Sequence, residues 1–546
     1  MGPFKFKSLD IIGCADAIED QDYLVECFID TGYLSTLKNI DDSRRIVVGN
    51  TGTGKSALLS LLAAGSAQSD NAESIEISPE SLSLSYISSS PILALVGGLG
   101  VKFDIFFRLL WRHVFAVELL KRHFSDKASP PTNVWEWLKS YFGNNKRHQQ
   151  ALDYLKAWGE KFWEETDYRI KETTSKLEKE LQGALGIKSD IVQLGIKGKN
   201  TMSEEERIEA AARAQAIVNK VQIRELSDVM DLLAEALEEG MRKYYIIIDR
   251  LDENWVEDNL RHRLIRALIE TVRDFRKVKN AKIVVALRRD LCEKVFQETR
   301  DSGFQEEKYQ SLFLDIEWNK AQLVELLDKR ITLLGKRRYL NQSLTLADIL
   351  PERIQKESSV EYFLNRTLMR PRDAILFLNQ CIKRVDNRSS ISADEVREAE
   401  GEYSRLRLRA LADEWSSDYP NFLKFVDLIK GKPERFALED IESGEIEQIC
   451  LDVAADEKLT TDDVLSEAAK KVANAELSSA EFRPILIQVF FRVGVVGLKL
   501  ETYEGITWSS GGRRSISTAE IHEEVKINIH PAFWRALIVQ HRQRSK

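Results

Sequence analysis

Residues 45–62 read RIVVGNTGTGKSALLSLL and decide the fold of this chain. The apolar run 45–48 predicts a buried strand, and the Ala and Leu residues after Ser56 predict the start of a helix. Between them, residues 49–56 match the pattern of Gly, four residues, Gly-Lys and then Ser or Thr. That pattern requires the order strand, glycine loop, helix, and it predicts a loop that holds a chain of phosphates.

Each residue type in this loop has a physical reason to be there. Glycines at 49, 52 and 54 allow backbone conformations that a Cβ would exclude, so successive N–H groups can point at one phosphate chain. We expect Lys55 to reach the β- and γ-phosphates and the Ser56 hydroxyl to ligate Mg²⁺. The loop therefore implies ATP and Mg²⁺ as cofactors, against the alternative of a plain glycine turn. The predicted nucleotide-binding residues are Gly49, Asn50, Thr51, Gly52, Thr53, Gly54, Lys55 and Ser56.

Other apolar runs predict the remaining strands of the same sheet. Because they alternate with helices and are almost wholly apolar, they favour a parallel sheet covered on both faces. The predicted fold class is α/β, a P-loop NTPase sheet with a large helical insertion, an all-helical lid and a C-terminal winged-helix-like domain. The expected strands are 74–77, 244–248, 282–287 and 312–316, with a helix near 259–277.

The periodicity of the chain changes several times along its length. The insertion begins a second helix with the capping box of Ser203 and Glu206 and holds a short hairpin at 187–198. A packed αα-hairpin and a projecting coiled coil or partner surface both fit it. The predicted domains are a helical segment at 1–40, the ATPase core at 41–317 with its insertion at about 102–240, the lid at 318–411 and the C-terminal domain at 412–546.

The lid and the C-terminal domain carry helix and strand signals of their own. Within the lid, Pro371 is suited to the first turn of a helix, and Ser392 with Glu395 forms a capping box. Otherwise the lid reads as helices only. In the last domain we expect a helix at 480–492, strands at 495–500, 505–509 and 525–529, and a closing helix from Pro531.

Composition excludes several classes of protein. With 79 basic and 87 acidic residues among 546, the net charge is −8, which rules out a generally basic nucleic-acid or membrane binder. Five dispersed cysteines and seven histidines suggest neither a disulfide framework nor a zinc site. We find no signal sequence and no run long enough to cross a membrane, so we expect a cytoplasmic protein.

Acidic residues follow the strand at 244–248. Asp249 ends that strand, where the ligand crevice of an α/β sheet lies, and we expect it to hold the magnesium shell. Asp252 and Glu253 come next, and one of them would orient and deprotonate the attacking water. The alternative is that these acids only cap a loop.

Arginines are needed where charge develops on a transferring phosphoryl group. Arg288 and Arg289 end the strand 282–287, and Arg370 and Arg372 flank Pro371 at a helix start. We predict Arg288 and Arg372 as catalytic cations together with Lys55, with plain surface salt bridges as the alternative. Three further arginines are more weakly placed, and one of them would serve a neighbouring subunit: Arg261, Arg263 and Arg266.

These residues together resemble the AAA+ and STAND branches of P-loop ATPases. In STAND proteins the second motif is an apolar run, Asp, any residue, an apolar residue, Asp and Glu, as residues 246–253 read here. By that resemblance, Arg288 corresponds to the arginine after the sensor strand and Arg372, less closely Arg370, to the lid arginine. The order of sheet, helical lid and winged helix is similar to that of initiator ATPases.

More closely, the chain resembles a bacterial family of P-loop ATPases through three short motifs. These are the acidic segment 16–20, Arg289-Asp290 and the helix start 370–373. Some relatives in the wider group act in antiphage defence, and the resemblance allows that role here. Arg250 stands where many AAA+ motors carry their catalytic glutamate, which favours a slow switch over a fast motor.

Three functions remain open on the sequence. The first is an ATP-driven conformational switch that forms homo-oligomers and acts on a protein effector. The second is an initiator- or loader-type ATPase that binds DNA through Arg513, Arg514 and the basic tail, which has no acidic residue from 531 onward. The third is a scaffold that binds ATP only to fold. The acidic net charge favours the switch, and a small-molecule kinase is the least favoured class.

Overall fold

The computed structural model consists of two compact units, each built from separate stretches of chain. Unit 1 comprises Met1–Ile29, Thr51–Gly54 and Glu317–Lys546, and unit 2 comprises Asp30–Asn50 and Lys55–Ile316. The expected hairpin at 187–198, Arg513, Arg514 and the tail 541–546 lie outside the described residues. The structure describes residues 4–67, 69, 71–81, 90–125, 166–185, 203–220, 230, 233–234, 237, 242–253, 255–300, 305–337, 343–456, 463–501, 503–509 and 515–540.

The first part of the chain alternates strands and helices as predicted. Its strands are β1 Ile46–Gly49, β2 Ala72–Ile77, β3 Lys243–Ile248, β4 Ala281–Arg288 and β5 Phe313–Asp315. Its helices are α1 Gln21–Leu24, α2 Tyr33–Lys38, α3 Lys55–Ala67, α4 Pro91–Gly98, α5 Asp104–Ser125, α6 Thr166–Leu185, α7 Glu204–Lys220, α8 Asp258–Asp274 and α9 Arg289–Glu298.

The strands β1 to β5 form one parallel sheet in the order β2-β3-β4-β1-β5. The register sets Gly49 beside Arg288 and Ile248 beside Val285. Because all five strands run the same way, their carboxyl ends share one edge. The prediction of an α/β fold with a parallel sheet is confirmed.

The core of unit 2 lies between this sheet and its helices. Trp111 of α5 is buried and donates its indole N–H to the carbonyl oxygen of Leu264 in α8, at 2.9 Å. Leu181 of α6 and Ala214 of α7 are fully buried in the same core. The described helices of the insertion therefore pack against the core, and α7 begins with the predicted capping box of Ser203 and Glu206.

The lid sequence folds into helices with one exception. The helices are α10 Lys320–Arg337, α11 Leu346–Ile349, α12 Ser359–Asn365, α13 Pro371–Ile382 and α14 Ala393–Glu414. Pro371 opens α13 and Ser392 caps α14, as predicted. The prediction of helices only is wrong, because β6 Arg353–Ile354 and β7 Glu357–Ser358 form an antiparallel hairpin. Its turn is closed by Gln355 with a φ of 56°, a conformation that no glycine in the sequence signals.

The C-terminal part of the chain pairs helices with a small sheet. Its helices are α15 Phe422–Val426, α16 Ser443–Ala455, α17 Val464–Ala473 and α18 Ser479–Val493. Its antiparallel sheet has the order β8-β10-β9, from β8 Arg435–Phe436, β9 Val496–Lys499 and β10 Lys526–Ile529. The predicted helix at 480–492 and the strands at 495–500 and 525–529 are confirmed.

Two details of this part were predicted wrongly. Residues 505–509 do not form a strand, because within this segment only Thr507 makes a β-bridge, with Leu498. The ring of Trp508 packs against Gly497. The closing helix is a single 3-10 turn, Pro531–Phe533. Ile538 has a φ of 53°, and a right-handed helix cannot continue through a residue with this left-handed backbone.

The N-terminal segment belongs to the core of unit 1. Phe6 and Ile12 are fully buried with Phe377 and Leu327. Within the described residues no helix is both long and apolar enough to span a membrane. Four of the five cysteines are buried and all five are free thiols.

Candidate functional site

The loop after β1 takes the conformation that its glycines were predicted to allow. Gly52 and Gly54 have φ values of 79° and 94°, a region that only glycine enters without strain. Gly49 needs no such freedom, contrary to our prediction, because it ends β1 with an extended backbone. The helix α3 begins at Lys55, so its N-terminal amide groups follow directly on the loop.

Three successive carbonyl groups of this loop accept hydrogen bonds from residues of unit 1. Thr51 accepts from Nη1 of Arg370 (3.0 Å), Gly52 from the backbone N–H of Arg372 (3.3 Å) and Thr53 from Nε1 of Trp318 (2.8 Å). In a trans peptide the C=O and the following N–H point in opposite directions. The N–H groups of residues 52–54 therefore point away from the residues that hold the carbonyls. That arrangement fits a polyphosphate.

Lys55 lies at the carboxyl edge of the sheet among the predicted charged residues. Its ammonium donates to the carbonyl oxygens of Gly49 (2.9 Å) and Asn50 (3.0 Å). Burial lowers the pKa of Lys55 to about 8, while the charges of Asp252 and Asp249 raise that pKa and Arg288 lowers it. The structure thus brings four predicted site residues of unit 2 within electrostatic reach of one another.

The acidic loop after β3 is turned by a strained residue. Arg250 has a φ of 60°, which a residue with a Cβ seldom adopts, and its N–H donates to the carboxylate of Asp249 at 2.8 Å. Its guanidinium lies 3.6 Å from Glu253. Burial raises the pKa of Glu253; Arg250 opposes this, and Glu80, which shares a hydrogen bond with Glu253, raises it further.

Arg288 is fixed by acidic neighbours at the end of β4. Its Nε and Nη2 donate to the two carboxylate oxygens of Asp290, at 3.1 and 2.6 Å. Its Nη1 lies 3.7 Å from Asp252. Arg289 pairs with Asp315 of β5 at 3.1 Å. Both arginines therefore have salt-bridge partners, and Arg288 has them at the edge where Lys55 lies.

The two lid arginines have different surroundings. Arg370 is buried, bonded to Thr51 and 3.6 Å from Glu414. The side chain of Arg372 packs on Gly52, where an added Cβ would lie 2.8 Å from its own Cβ, and its Nε donates to the carbonyl of Ala15. Arg370 is thereby committed to holding the loop, and the role of Arg372 as a phosphate contact stays a prediction.

Two of the three arginines of α8 form contacts within unit 2. Arg261 donates to the carbonyl oxygens of Asp252 (3.4 Å) and Glu253 (3.2 Å), so it holds the acidic loop. Arg266 pairs with Glu270 at 2.9 Å. Arg263 is exposed.

Two residues near the loop and the acids, Trp318 and Glu80, were missed on the sequence because they carry no motif. Arg370 was named among the lid arginines but was ranked below Arg372. Glu80 follows β2, the neighbour of β3 in the sheet, so the strand order was the signal that would have found it. The N-terminal acids were noted, but not that Asp20 pairs with Arg330 at 2.5 Å.

For a magnesium ion the chain offers Ser56 and Asp249. The described residues contain no group of three or more acidic, histidine or cysteine ligands. Magnesium at nucleotide sites takes one or two protein oxygens and fills its octahedron with water and phosphate oxygens. A hydroxyl and a carboxylate at this edge fit that ion.

The fold and the loop together define a class of protein. A parallel sheet with a Gly-Lys-Ser loop between β1 and α3, and an acid directly after β3, is an α/β P-loop NTPase fold, here with helical domains.

Comparison with known proteins gives one family match over part of the chain and one relative that aligns with most of it. Residues 321–412 match the family described as the FunZ-associated C-terminal helical domain. Over 534 residues the chain is 23% identical to the putative transposon gamma-delta 80.3 kDa protein of Escherichia coli K12. That alignment covers 96% of this chain and 66% of the relative, so the chain spans less than two thirds of the relative's length.

Solved structures of three archaeal proteins are similar at a low level. They are the Aeropyrum pernix ORC1 protein in complex with DNA (TM-score 0.34, 11% identity, 94% of each chain) and the Aeropyrum pernix ORC2 protein (TM-score 0.30, 9% identity, 94% of this chain and 90% of that one). The third is CDC6P from Pyrobaculum aerophilum (TM-score 0.29, 11% identity, 95% and 97%). Likeness at this level is too low to carry a conclusion about this chain.

Proposed function

We propose that this chain binds ATP with Mg²⁺ at residues 49–56 and hydrolyses it slowly, as a conformational switch. The observation that carries the proposal is the position of Lys55, at the carboxyl edge of a parallel sheet among Asp249, Asp252 and Arg288. The backbone N–H groups of the loop would hold the phosphates, and Lys55 would neutralise their charge. Bound Mg²⁺, held by Ser56 and Asp249, would supply further positive charge at the β- and γ-phosphates.

Glu253 is the better candidate for activating water. A carboxylate with a raised pKa is a stronger base, and burial raises the pKa of Glu253. Asp252, in contrast, is engaged in an ion pair, 3.7 Å from the guanidinium of Arg288. Arg288 and Arg372 would stabilise charge on the transferring phosphoryl group.

Single substitutions test these roles. Lys55→Ala should abolish binding of a fluorescent ATP analogue, and Glu253→Gln should bind ATP while releasing phosphate at least tenfold more slowly, as expected for loss of a general base. Asp252→Asn should hydrolyse faster than Glu253→Gln. If both acid variants hydrolyse ATP at the wild-type rate, the assignment of the water-activating acid is wrong.

The switch role predicts a change of assembly. Glu253→Gln with ATP should elute from a sizing column as a larger species than the same variant without nucleotide. Retention of one size in both conditions would argue against nucleotide-driven oligomerisation. If neither the wild type nor the variants release phosphate, and ATP nevertheless raises the melting temperature of the wild type, the result would favour the scaffold function instead.

Several finer expectations stay predictions. These are the cytoplasmic location, the protein effector, the antiphage role and DNA binding. For DNA, Arg513, Arg514 and the tail lie outside the described residues, while Arg535 lies 3.7 Å from the buried Glu400 and is thus directed to α14. Salt-dependent duplex binding that disappears in an Arg513 and Arg514 double alanine variant would support the loader function.

A further inference from the structure

A chain of buried charges leads from the phosphate loop to the far end of α14, all within unit 1. Arg370 donates to the carbonyl oxygen of Thr51 and lies 3.6 Å from Glu414. The other carboxylate oxygen of Glu414 accepts from Nη2 of Arg407 at 2.8 Å. The Nε of Arg407 in turn lies 3.5 Å from Asp373.

These four side chains are almost completely removed from water. Their exposed fractions are 9% for Arg370, 9% for Glu414, 4% for Arg407 and zero for Asp373. Two positive and two negative charges balance, and each is buried beside at least one opposite charge. Removing one member leaves another as an uncompensated buried charge, which is strongly unfavourable.

Within this set Glu414 has a special position. Arg370 and Arg407 repel each other, and the carboxylate that contacts both guanidinium groups belongs to Glu414. Without that charge, the buried position of the Arg370 guanidinium beside Thr51 is less stable. The carbonyl oxygen of Thr51 would then lose its hydrogen-bond donor, and Thr51 would lose its fixed orientation. The effect would reach residues 51–54 although Glu414 is at least 360 positions away in the sequence.

We propose that Glu414 is a positioning residue of the phosphate loop, which it orients by holding Arg370 on the carbonyl oxygen of Thr51. The inference rests on the proposed ATP binding. It assigns to the end of a lid helix a part in nucleotide affinity that no motif in the sequence marks. Glu414 itself contacts no nucleotide in this scheme, and its influence passes through Arg370.

The matched control lies on the same helix. Glu400 of α14 is 2% exposed and accepts hydrogen bonds from Arg366 (2.9 Å) and Tyr362 (2.5 Å), but these partners do not contact the loop. Glu414→Gln and Glu400→Gln both remove one buried charge, and both should lower the melting temperature. Only Glu414→Gln should weaken binding of a fluorescent ATP analogue, by about tenfold, which is the lower end of the loss seen when an outer-shell partner of a metal ligand is removed.

A double-substitution cycle tests the route. In an Arg370→Ala background, Glu414→Gln should change the dissociation constant by less than twofold, because its intermediary is gone. Equal loss of affinity in the Glu414→Gln and Glu400→Gln variants would overturn the inference, and so would a full tenfold effect in the Arg370→Ala background. Wild-type protein that binds no ATP would instead refute the proposed function itself.

A second variant covers the case that Glu414→Gln does not fold. Glu414→Asp keeps the charge but draws the carboxylate back by about 1.5 Å, one C–C bond, and so beyond ion-pair distance of Arg370. We expect this variant to bind the analogue several-fold more weakly than wild type. Wild-type affinity in folded Glu414→Asp protein would equally contradict the positioning role.

Discussion

Burial changes the charge state of Lys55 within an accessible range of pH. Its pKa is lowered to about 8, first by burial. Under the proposed ATP binding, the phosphates would bind the charged ammonium, so in the nucleotide complex this pKa would rise. Above pH 8 the free protein must therefore take up a proton in order to bind ATP.

We expect ATP affinity to fall with rising pH above about 8, approaching tenfold per unit. Titration of a fluorescent ATP analogue between pH 7.5 and 9.5 measures it, with circular dichroism at each pH to verify folding. Lys55→Arg is the control, because a guanidinium stays charged over this range. A flat wild-type profile would contradict the contact between Lys55 and phosphate.

The two left-handed glycines of the loop differ in what surrounds them. A Cβ on Gly54 would meet nothing within 4 Å, whereas one on Gly52 would lie 2.8 Å from the Cβ of Arg372. Gly54→Ala should cost about 1–2 kcal/mol of unfolding free energy through its φ alone. Gly52→Ala should cost about 1–3 kcal/mol more, because it also displaces Arg372. Urea denaturation of both variants measures the difference, and equal losses would show that Arg372 does not pack on the loop.

At the scale of elements, β4 carries a lysine in its buried interior. Lys282 is fully buried and its ammonium donates to the carbonyl oxygens of Thr36 (3.0 Å) and Asn39 (2.7 Å), at the end of α2. The cation thus satisfies carbonyl groups that the helix end leaves open. Burial lowers the pKa of Lys282 to about 7.

The pH dependence of stability follows from that lowered pKa. Between pH 7 and 10.5, the ordinary pKa of lysine, the unfolded chain binds more protons than the folded protein. The free energy of unfolding therefore rises with pH across this window, and below pH 7 the contribution is constant. Lys55 adds a similar rise from about pH 8, so wild type must be compared with a variant.

Lys282→Met should remove the part of this rise that Lys282 contributes. Melting temperatures of wild type and variant, measured from pH 6.5 to 9.5, should diverge progressively above pH 7, with the steeper slope in the wild type. Near pH 7 the variant should also be less stable than the wild type, because the carbonyl groups of Thr36 and Asn39 lose their hydrogen-bond donor. Parallel curves would mean that Lys282 keeps an ordinary pKa.

At the scale of the whole molecule, each unit is assembled from stretches that are distant in the chain. Unit 1 joins the N-terminal segment and residues 51–54 to everything after residue 316. One bond that holds the N-terminal segment is the buried ion pair of Asp20 and Arg330, whose side chains are 5% and 4% exposed. Asp20 also accepts the N–H of Cys14 at 2.7 Å.

Asp20→Ala should lower the unfolding free energy of unit 1 by about 3–5 kcal/mol, because Arg330 becomes an unpaired buried charge. The neighbouring Glu19 is exposed, and Glu19→Gln should change the unfolding free energy of unit 1 by less than about 0.5 kcal/mol. Thermal unfolding of both variants makes the comparison. Similar melting temperatures would show that the N-terminal segment does not stabilise unit 1.

The sequence by itself determined the loop, the parallel sheet and the starts of α7, α13 and α14. The apolar run before Gly49, the glycines at 52 and 54 and the capping boxes of Ser203 and Ser392 act through neighbours within a few residues. Local sterics and hydrogen bonds are the same wherever such a segment lies, so the pattern was sufficient. The same reasoning failed for the turn at Gln355 and after Pro531, where left-handed residues other than glycine gave no signal.

Only the tertiary structure decided which charges meet. Arg370 reaches Thr51 across more than 300 positions, Glu414 holds Arg370, and Trp318 binds Thr53. The sequence could propose both lid arginines but could not show which of them contacts the loop carbonyls, since the partner of a charged side chain depends on which surfaces burial has removed from water. Burial also set the pKa values of Lys55 and Lys282, because desolvation depends on the whole fold and not on adjacent residues.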